Sequence, residues 1–217
     1  DSVEHIKGLH FHTVFSATDY SPLIQTLDKL EACAGNRLRK LAWLNLGGGY
    51  LNDQIDNNEH LIERICQLKK EFDLDVFIEP GNAVVGRAGH LLTTVIDIFN
   101  SDGKTIAILD SSINHHPEVF EYQRQPELFE HDAKGDYSII LAGSTCLAGD
   151  LFGEYRFAQP LLIGDKLVFN NVGAYSLAKA NRFNEYNLPD VFMANTELVK
   201  RVKSHTYDHY RQQWMSD

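Results

Sequence analysis

The chain has 217 residues, 43% hydrophobic and 23% charged, a composition that supports a sizeable core in one or two globular domains. Thirty acidic against twenty basic residues give a formal charge of -10, which disfavours nucleic acid and anionic membrane as partners and suits a small cationic molecule. Cys33, Cys66 and Cys146 are too few and too scattered for a disulfide framework, the longest apolar runs fall short of a membrane span, and the ten histidines form no HExxH pattern; the expectation is a cytoplasmic protein with no metal site.

Residues 8–13 read as a strand. Ser21 and Pro22 supply an N-cap and first-turn pair, and Leu23, Leu27, Leu30 and Ala34 follow at helical spacing, which predicts a helix over 21–35. A second buried strand over 41–46 runs into Gly47-Gly48-Gly49. Leu61, Ile65, Leu68 and Phe72 mark a second helix, and 76–78 is a third strand stopped by Pro80 and Gly81. This alternation is the signature of βα units in a parallel sheet. Three parallel strands with two helices cannot close, whereas a (β/α)8 barrel takes roughly 250 residues, so residues 1–82 are expected to be the last βα units of such a barrel rather than an open layer.

From Ala83 the texture becomes β-rich, and 83–217 reads as a second, β domain. Residues 83–99 and 104–109 are predicted to form a hairpin about Ser101-Asp102-Gly103. Further strands are expected at 137–141, 155–158, 166–170 and 191–193. The stretch 195–214 reads as a helix with Leu198, Val202 and Tyr210 on its buried side.

Several positions can carry chemistry. Gly47-Gly48-Gly49 after a strand can turn bare N–H groups inward to hold an anion such as phosphate, although a glycine run is more often only a tight turn. Glu79 precedes Pro80-Gly81 at the C-terminal end of a strand, where catalytic groups of parallel barrels gather; a carboxylate there can keep a pyridine nitrogen protonated. His12 ends the first strand and can stack on a flat ring. In 143–150, Gly-Ser-Thr-Cys-Leu-Ala-Gly-Asp, the thiol of Cys146 lies in a constrained loop where it can donate a proton. Cys33 and Cys66 are assigned to helix packing.

In order, Gly8-Leu9-His10-Phe11-His12, Leu46-Gly47-Gly48-Gly49-Tyr50, Glu79-Pro80-Gly81, Ser144-Thr145-Cys146 and Gly173-Ala174-Tyr175 resemble the successive motifs of the fold-type III pyridoxal-phosphate decarboxylases, the ornithine/diaminopimelate decarboxylase family. The stretch 145–150, the 109–112 segment and Phe183-Asn184 look like the carboxynorspermidine (carboxyspermidine) decarboxylase branch. The resemblance implies an α/β barrel followed by a C-terminal β-barrel or sandwich domain, a homodimer with shared active sites, and pyridoxal 5'-phosphate as cofactor. It assigns His12 to stacking on the ring, Gly47, Gly48, Gly49, Gly81 and Tyr175 to the cofactor and its phosphate, and Glu79 to the pyridine nitrogen. Cys146 would cross from the partner subunit to protonate the α-carbon, and Asp110 and Asp150 would bind the amines of a carboxylated polyamine. Diaminopimelate, arginine or ornithine decarboxylases, and a homologue without catalysis, are the alternatives.

Two departures bear on substrate: Asn82 stands where ornithine-type relatives have arginine, and Leu147 where they have aspartate after the cysteine. His115, His116 and Glu118 could line a polyamine pocket, but a surface loop is the simpler reading. The lysine that bonds the cofactor in this family lies upstream of every motif here; Lys7, Lys40, Lys104 and Lys179 do not match it in order.

Overall fold

In a computed structural model that describes residues 5–51, 55 and 57–215, the chain divides into two units, 1–86 and 87–217. The division falls four residues beyond the boundary expected after Asn82. Unit 1 runs β1 (Gly8–His10), α1 (Ser21–Leu38), β2 (Trp43–Asn45), α2 (Glu59–Phe72), β3 (Asp75–Phe77) and α3 (Asn82–Val85). The strands are parallel and ordered β1-β2-β3, and His10, Asn45 and Phe77 stand in register at their C-terminal ends. That register brings the three following loops out at one edge of the sheet.

Pro22 occupies the first turn of α1. The helix passes Gly35 and ends at Leu38, a turn later than predicted. A mid-helix glycine costs about 1 kcal/mol relative to alanine, whereas burying Leu38, which is 1% exposed, contributes roughly 2 kcal/mol; the burial wins. Leu23, Leu27 and Leu38 of α1 share a core with Leu61, Leu68 and Phe72 of α2 and Leu44 and Leu46 around β2. Arg64 on α2 reaches Asp28 and Glu31 on α1. Cys33 and Cys66 are exposed rather than packed, because each lies one position outside its helix's buried stripe. Trp43 and Phe77 remain solvent-exposed, and the Trp43 ring lies across Gly8, where a side chain would collide with it.

Unit 2 runs β4 (Leu91–Ser101), β5 (Lys104–Leu109), α4 (Glu118–Tyr122), β6 (Tyr137–Ala142), β7 (Leu151–Phe157), β8 (Lys166–Phe169), α5 (Ser176–Lys179), β9 (Val191–Ala194), β10 (Val199–Lys203) and α6 (Tyr207–Arg211). Five strands form one mixed sheet ordered β7-β6-β5-β4-β8, in which β5 and β6 are parallel and the other pairs antiparallel. Asp102 and Gly103 both adopt positive φ in the β4–β5 turn, as a tight two-residue hairpin loop requires. Val95, Leu109, Leu141, Phe152, Tyr155 and Phe169 fill the core, with the Phe152 and Phe169 rings stacked at 4.6 Å.

In unit 1, β1 ends at His10, short of the predicted Thr13, so His12 lies past the strand. Three further predicted elements differ. Residues 83–90 do not extend β4: Val84 and Val85 donate to the Gly81 carbonyl in the short α3, and both are exposed, so β-branched composition there reflects no buried strand. β7 begins at Leu151, four residues early, because Gly153, at φ 136, bends the strand at a register shift and hides its alternation. The expected helix over 195–214 is instead the antiparallel β9–β10 hairpin followed by the short α6. Asn195 Oδ1 accepts the Glu197 and Leu198 amides and turns the chain back; such local side-chain bonds compete with helix. Leu198 and Val202 are consequently exposed.

Candidate functional site

Past the strand ends of unit 1 the backbone ladder continues: Phe11 N donates to Asn45 O at 3.1 Å, Leu46 N to Phe77 O at 2.9 Å and Glu79 N to Gly47 O at 2.8 Å. Three loops are thereby fixed side by side. Asn45 Nδ2 donates to Glu79 Oε1 at 2.8 Å while its Oδ1 accepts the Gly47 amide at 2.9 Å. His10 Nε2 lies 3.5 Å from Glu79 Oε1, and the ligand-type atoms of His10, His12 and Glu79 all fall within 4.8 Å of one another. Of the residues expected at a site, the structure therefore brings His12, Gly47, Gly48, Gly49 and Glu79 into one group.

The triple glycine is required by that closeness. Gly47 and Gly49 adopt φ 68 and 86; a Cβ on Gly48 would run into the Glu79 carbonyl, and one on Gly49 would sit 3.2 Å from His12 Nε2. Gly47 N–H is taken by Asn45. Among the described residues, the N–H groups of Gly48 and Gly49 donate to no acceptor, and Gly48 is buried. Buried amides are ordinarily paired, so two unpaired donors beside an imidazole and a carboxylate suit a ligand bearing an anionic group. Gly81 follows at the same edge, with its carbonyl committed to the Val84 and Val85 amides at 2.9 and 3.1 Å.

A second group lies in unit 2, in the turn between β6 and β7. Asp150 is 5% exposed, and its carboxylate accepts Ile113 N at 2.9 Å, Thr145 N at 3.1 Å and Thr145 Oγ1 at 2.5 Å. These bonds hold the loop that presents Cys146, whose exposed Sγ accepts a hydrogen bond from Asn184 Nδ2 at 2.7 Å. Ser144 meets the Tyr186 hydroxyl at 2.5 Å and donates its amide to Ser111 O at 3.1 Å, so the loop is tied to 111–113 and 184–186.

Asp110 ends β5. Its Oδ1 accepts Thr93 Oγ1 at 2.8 Å and Thr94 N at 2.7 Å. Burial opposes its charge, but those bonds and the Lys166 ammonium prevail and hold its carboxyl below the usual value. Tyr175, at the start of α5, is exposed, with Lys179 Nζ 4.9 Å from its ring centre. Lys179 itself is paired with Glu121 at 2.5 Å, which raises its pKa, with the Tyr122 hydroxyl adding to the effect.

His115 and His116 are no surface loop: they are 4% and 6% exposed, and Glu118 is half-buried. Burial pushes both imidazoles down to about 4. His116 Nδ1 bonds Ser176 Oγ at 2.6 Å, while His115 stacks on Tyr186 at 5.4 Å. The Asn187 backbone approaches His115 without closing a well-formed hydrogen bond.

Sequence reasoning missed His10, Asn45 and Tyr186. The i, i+2 spacing of His10 and His12 was a usable signal, since alternate strand residues share a face. Asn45 and Tyr186 act through bonds to residues 34 and 42 positions away, and no local pattern marks them.

Comparison with known proteins gives a consistent family. The chain is 32% identical over 96% of its length to a carboxynorspermidine/carboxyspermidine decarboxylase of Herminiimonas arsenicoxydans, covering 57% of that protein. It is 36% identical over 86% of its length to a carboxyaminopropylagmatine decarboxylase of Synechocystis, covering 49% of that protein. The crystal structure of carboxynorspermidine decarboxylase complexed with norspermidine from Campylobacter jejuni superposes with a TM-score of 0.86 at 30% identity, over 97% of this chain and 61% of that one. The chain thus spans about half the length of the curated relatives it matches. The resemblance drawn from the five motifs agrees with these relatives. Residues 15–173, well over half of the chain, match the family described as pyridoxal-dependent decarboxylase, C-terminal sheet domain, and the chain belongs to that family of pyridoxal-dependent decarboxylases.

Proposed function

We propose that the protein containing this chain releases carbon dioxide from a carboxylated polyamine, carboxynorspermidine or carboxyspermidine, using pyridoxal 5'-phosphate seated on the strand-end group of unit 1. One observation carries this reading: the unpaired amides of Gly48 and Gly49 lie beside the imidazole of His12 and the carboxylate of Glu79. A phosphorylated pyridine ring needs an anion cradle, a flat neighbour and an acid-base partner for its nitrogen, and this donor set fits all three.

When bound, pyridoxal 5'-phosphate supplies an electron sink for the pair left behind as the carboxylate departs. Gly48 and Gly49 hold the phosphate through their N–H groups, with Gly47 and Gly81 shaping the turns. His12 would stack against the ring. Glu79, oriented by Asn45, keeps the ring nitrogen protonated, and Tyr175 adds a hydroxyl to the phosphate. Cys146 holds the proton destined for the α-carbon, reaching the site from the partner subunit of a homodimer, with Asn184 bonded to its sulfur. Asp110, whose carboxylate is held in place by Thr93 and Thr94, meets an amine of the substrate. Both Asp150 oxygens are engaged by the loop, so we assign Asp150 to holding Cys146 rather than to direct substrate contact.

In this reading residues 1–82 are the closing βα units of a (β/α)8 barrel in a cytoplasmic enzyme, and 83–217 form its C-terminal β domain. The exposed Trp43 and Phe77 side chains support a closed barrel, since parallel sheets are ordinarily covered on both faces. The lysine that bonds the cofactor is placed in the half of the relatives' length outside this match.

The Synechocystis relative favours a second substrate, carboxyaminopropylagmatine, which ends in a guanidinium. Carbon dioxide release by the full-length protein, measured over both carboxylated polyamines, carboxyaminopropylagmatine, diaminopimelate, ornithine and arginine, separates the readings. Preference for a carboxylated polyamine is expected; preference for diaminopimelate, ornithine or arginine, or no release from any, overturns the proposal.

A further inference from the structure

His10, His12 and Glu79 form a ligand set that the cofactor reading uses only in part. Zinc bound by nitrogen and oxygen at about 2.0–2.2 Å in a tetrahedron spaces its ligand atoms about 3.3–3.5 Å apart. His10 Nε2 and Glu79 Oε1 already stand 3.5 Å apart, and the ligand atoms of all three groups fall within 4.8 Å of one another. Among the described residues neither imidazole is committed to any other hydrogen bond, so lone pairs of both are available.

The support behind the set is rigid. His10 and Asn45 are paired residues of adjacent parallel strands, and Glu79 is fixed through its amide to Gly47 O. Asn45 Nδ2 donates to Glu79 Oε1, the kind of outer contact that orients a metal-binding carboxylate, and a carboxylate oxygen has a second lone pair for a metal. Two imidazoles with one carboxylate favour zinc over magnesium or calcium, which prefer all-oxygen sites.

We propose that His10, His12 and Glu79 bind Zn2+ in the chain free of pyridoxal 5'-phosphate, with water completing the coordination. The proposal rests on these three side chains and holds whether or not the cofactor reading does. Because Glu79 is also the partner assigned to the ring nitrogen, a bound metal would hold the site against the cofactor.

The test is calorimetric titration of the chain, purified without chelator or cofactor, with zinc chloride, together with the visible spectrum of its Co2+ form. One metal per chain and the intense d–d bands of four-coordinate cobalt are expected. His10→Ala, His12→Ala and Glu79→Gln, each confirmed folded by circular dichroism, should weaken binding more than tenfold, and Asn45→Ala by about tenfold. Absence of binding, an octahedral cobalt spectrum, or unchanged affinity in the three ligand variants would overturn the proposal, the last by moving the metal to other histidines.

Discussion

In unit 1 the chemistry-bearing side chains of His10, His12 and Glu79 are exposed and stand at or just past the ends of three-residue strands, held in place by backbone ladders and by glycines too crowded to carry a side chain. In unit 2 the reverse holds: Cys146 is exposed, but everything that positions it is side-chain bonding around the buried Asp150. The first arrangement ties function to backbone shape, the second to a polar network. Substitutions should therefore separate folding from chemistry cleanly at Glu79 and not at all at Asp150.

The largest effect is expected at Asp150. Asp150→Ala strands the Ile113 and Thr145 amides and the Thr145 hydroxyl, which should cost about 3 kcal/mol or more; denaturant unfolding measures it, and a stability change below about 1 kcal/mol would return Asp150 to a pure binding role. Glu79→Ala should lower turnover of the full-length enzyme by about 100-fold or more while leaving the melting temperature unchanged, since its side chain is half exposed. Gly48→Ala drives a methyl group into the Glu79 carbonyl and should destabilise unit 1 by roughly 1–3 kcal/mol, read from thermal melting.

The polar network also predicts a pH dependence. The ordinary histidine value of 6.5 falls to about 4 in the folded state for His115 and His116, so the unfolded chain binds more protons between those limits. Stability should be full above pH 6.5 and decline as pH falls toward 4. His116→Asn should flatten part of that slope; an identical slope in the variant would show that other groups set it. The smallest stability change belongs to Cys146→Ala, within about 0.5 kcal/mol, yet in the full-length enzyme it should slow correct protonation of product more than carbon dioxide release. Product profiles equal to the parent's would remove Cys146 from that step.

The contrast also explains what could be read in advance. Leu23, Leu27, Leu61 and Leu68 announce their helices because burial follows helical period, and the strand-glycine-strand-glutamate order announces the unit 1 edge because backbone geometry demands those residues locally. The unit 2 loop was legible in Cys146 and Asp150 but not in its organisation, since Asp150 acts on Ile113 and Ser144 on Tyr186 across 37 and 42 residues. His115 and His116 look like surface residues in the sequence because histidines in a polar stretch are seldom buried without a partner, yet both are buried. The 195–214 stretch misled for a related reason: Leu198 and Val202 suit a helical stripe, yet Asn195 turns the chain first.

The central claim is that the Gly48 and Gly49 amides receive a phosphate while Glu79 and His12 hold the attached ring. Selective 15N labelling of glycine, with amide spectra recorded as pyridoxal 5'-phosphate is added to the full-length protein, tests it most directly. The account predicts large downfield amide-proton shifts at Gly48 and Gly49, with little change at Gly35 near the C-terminal end of α1. Cofactor bound by absorbance with the Gly48 and Gly49 signals unmoved would contradict it.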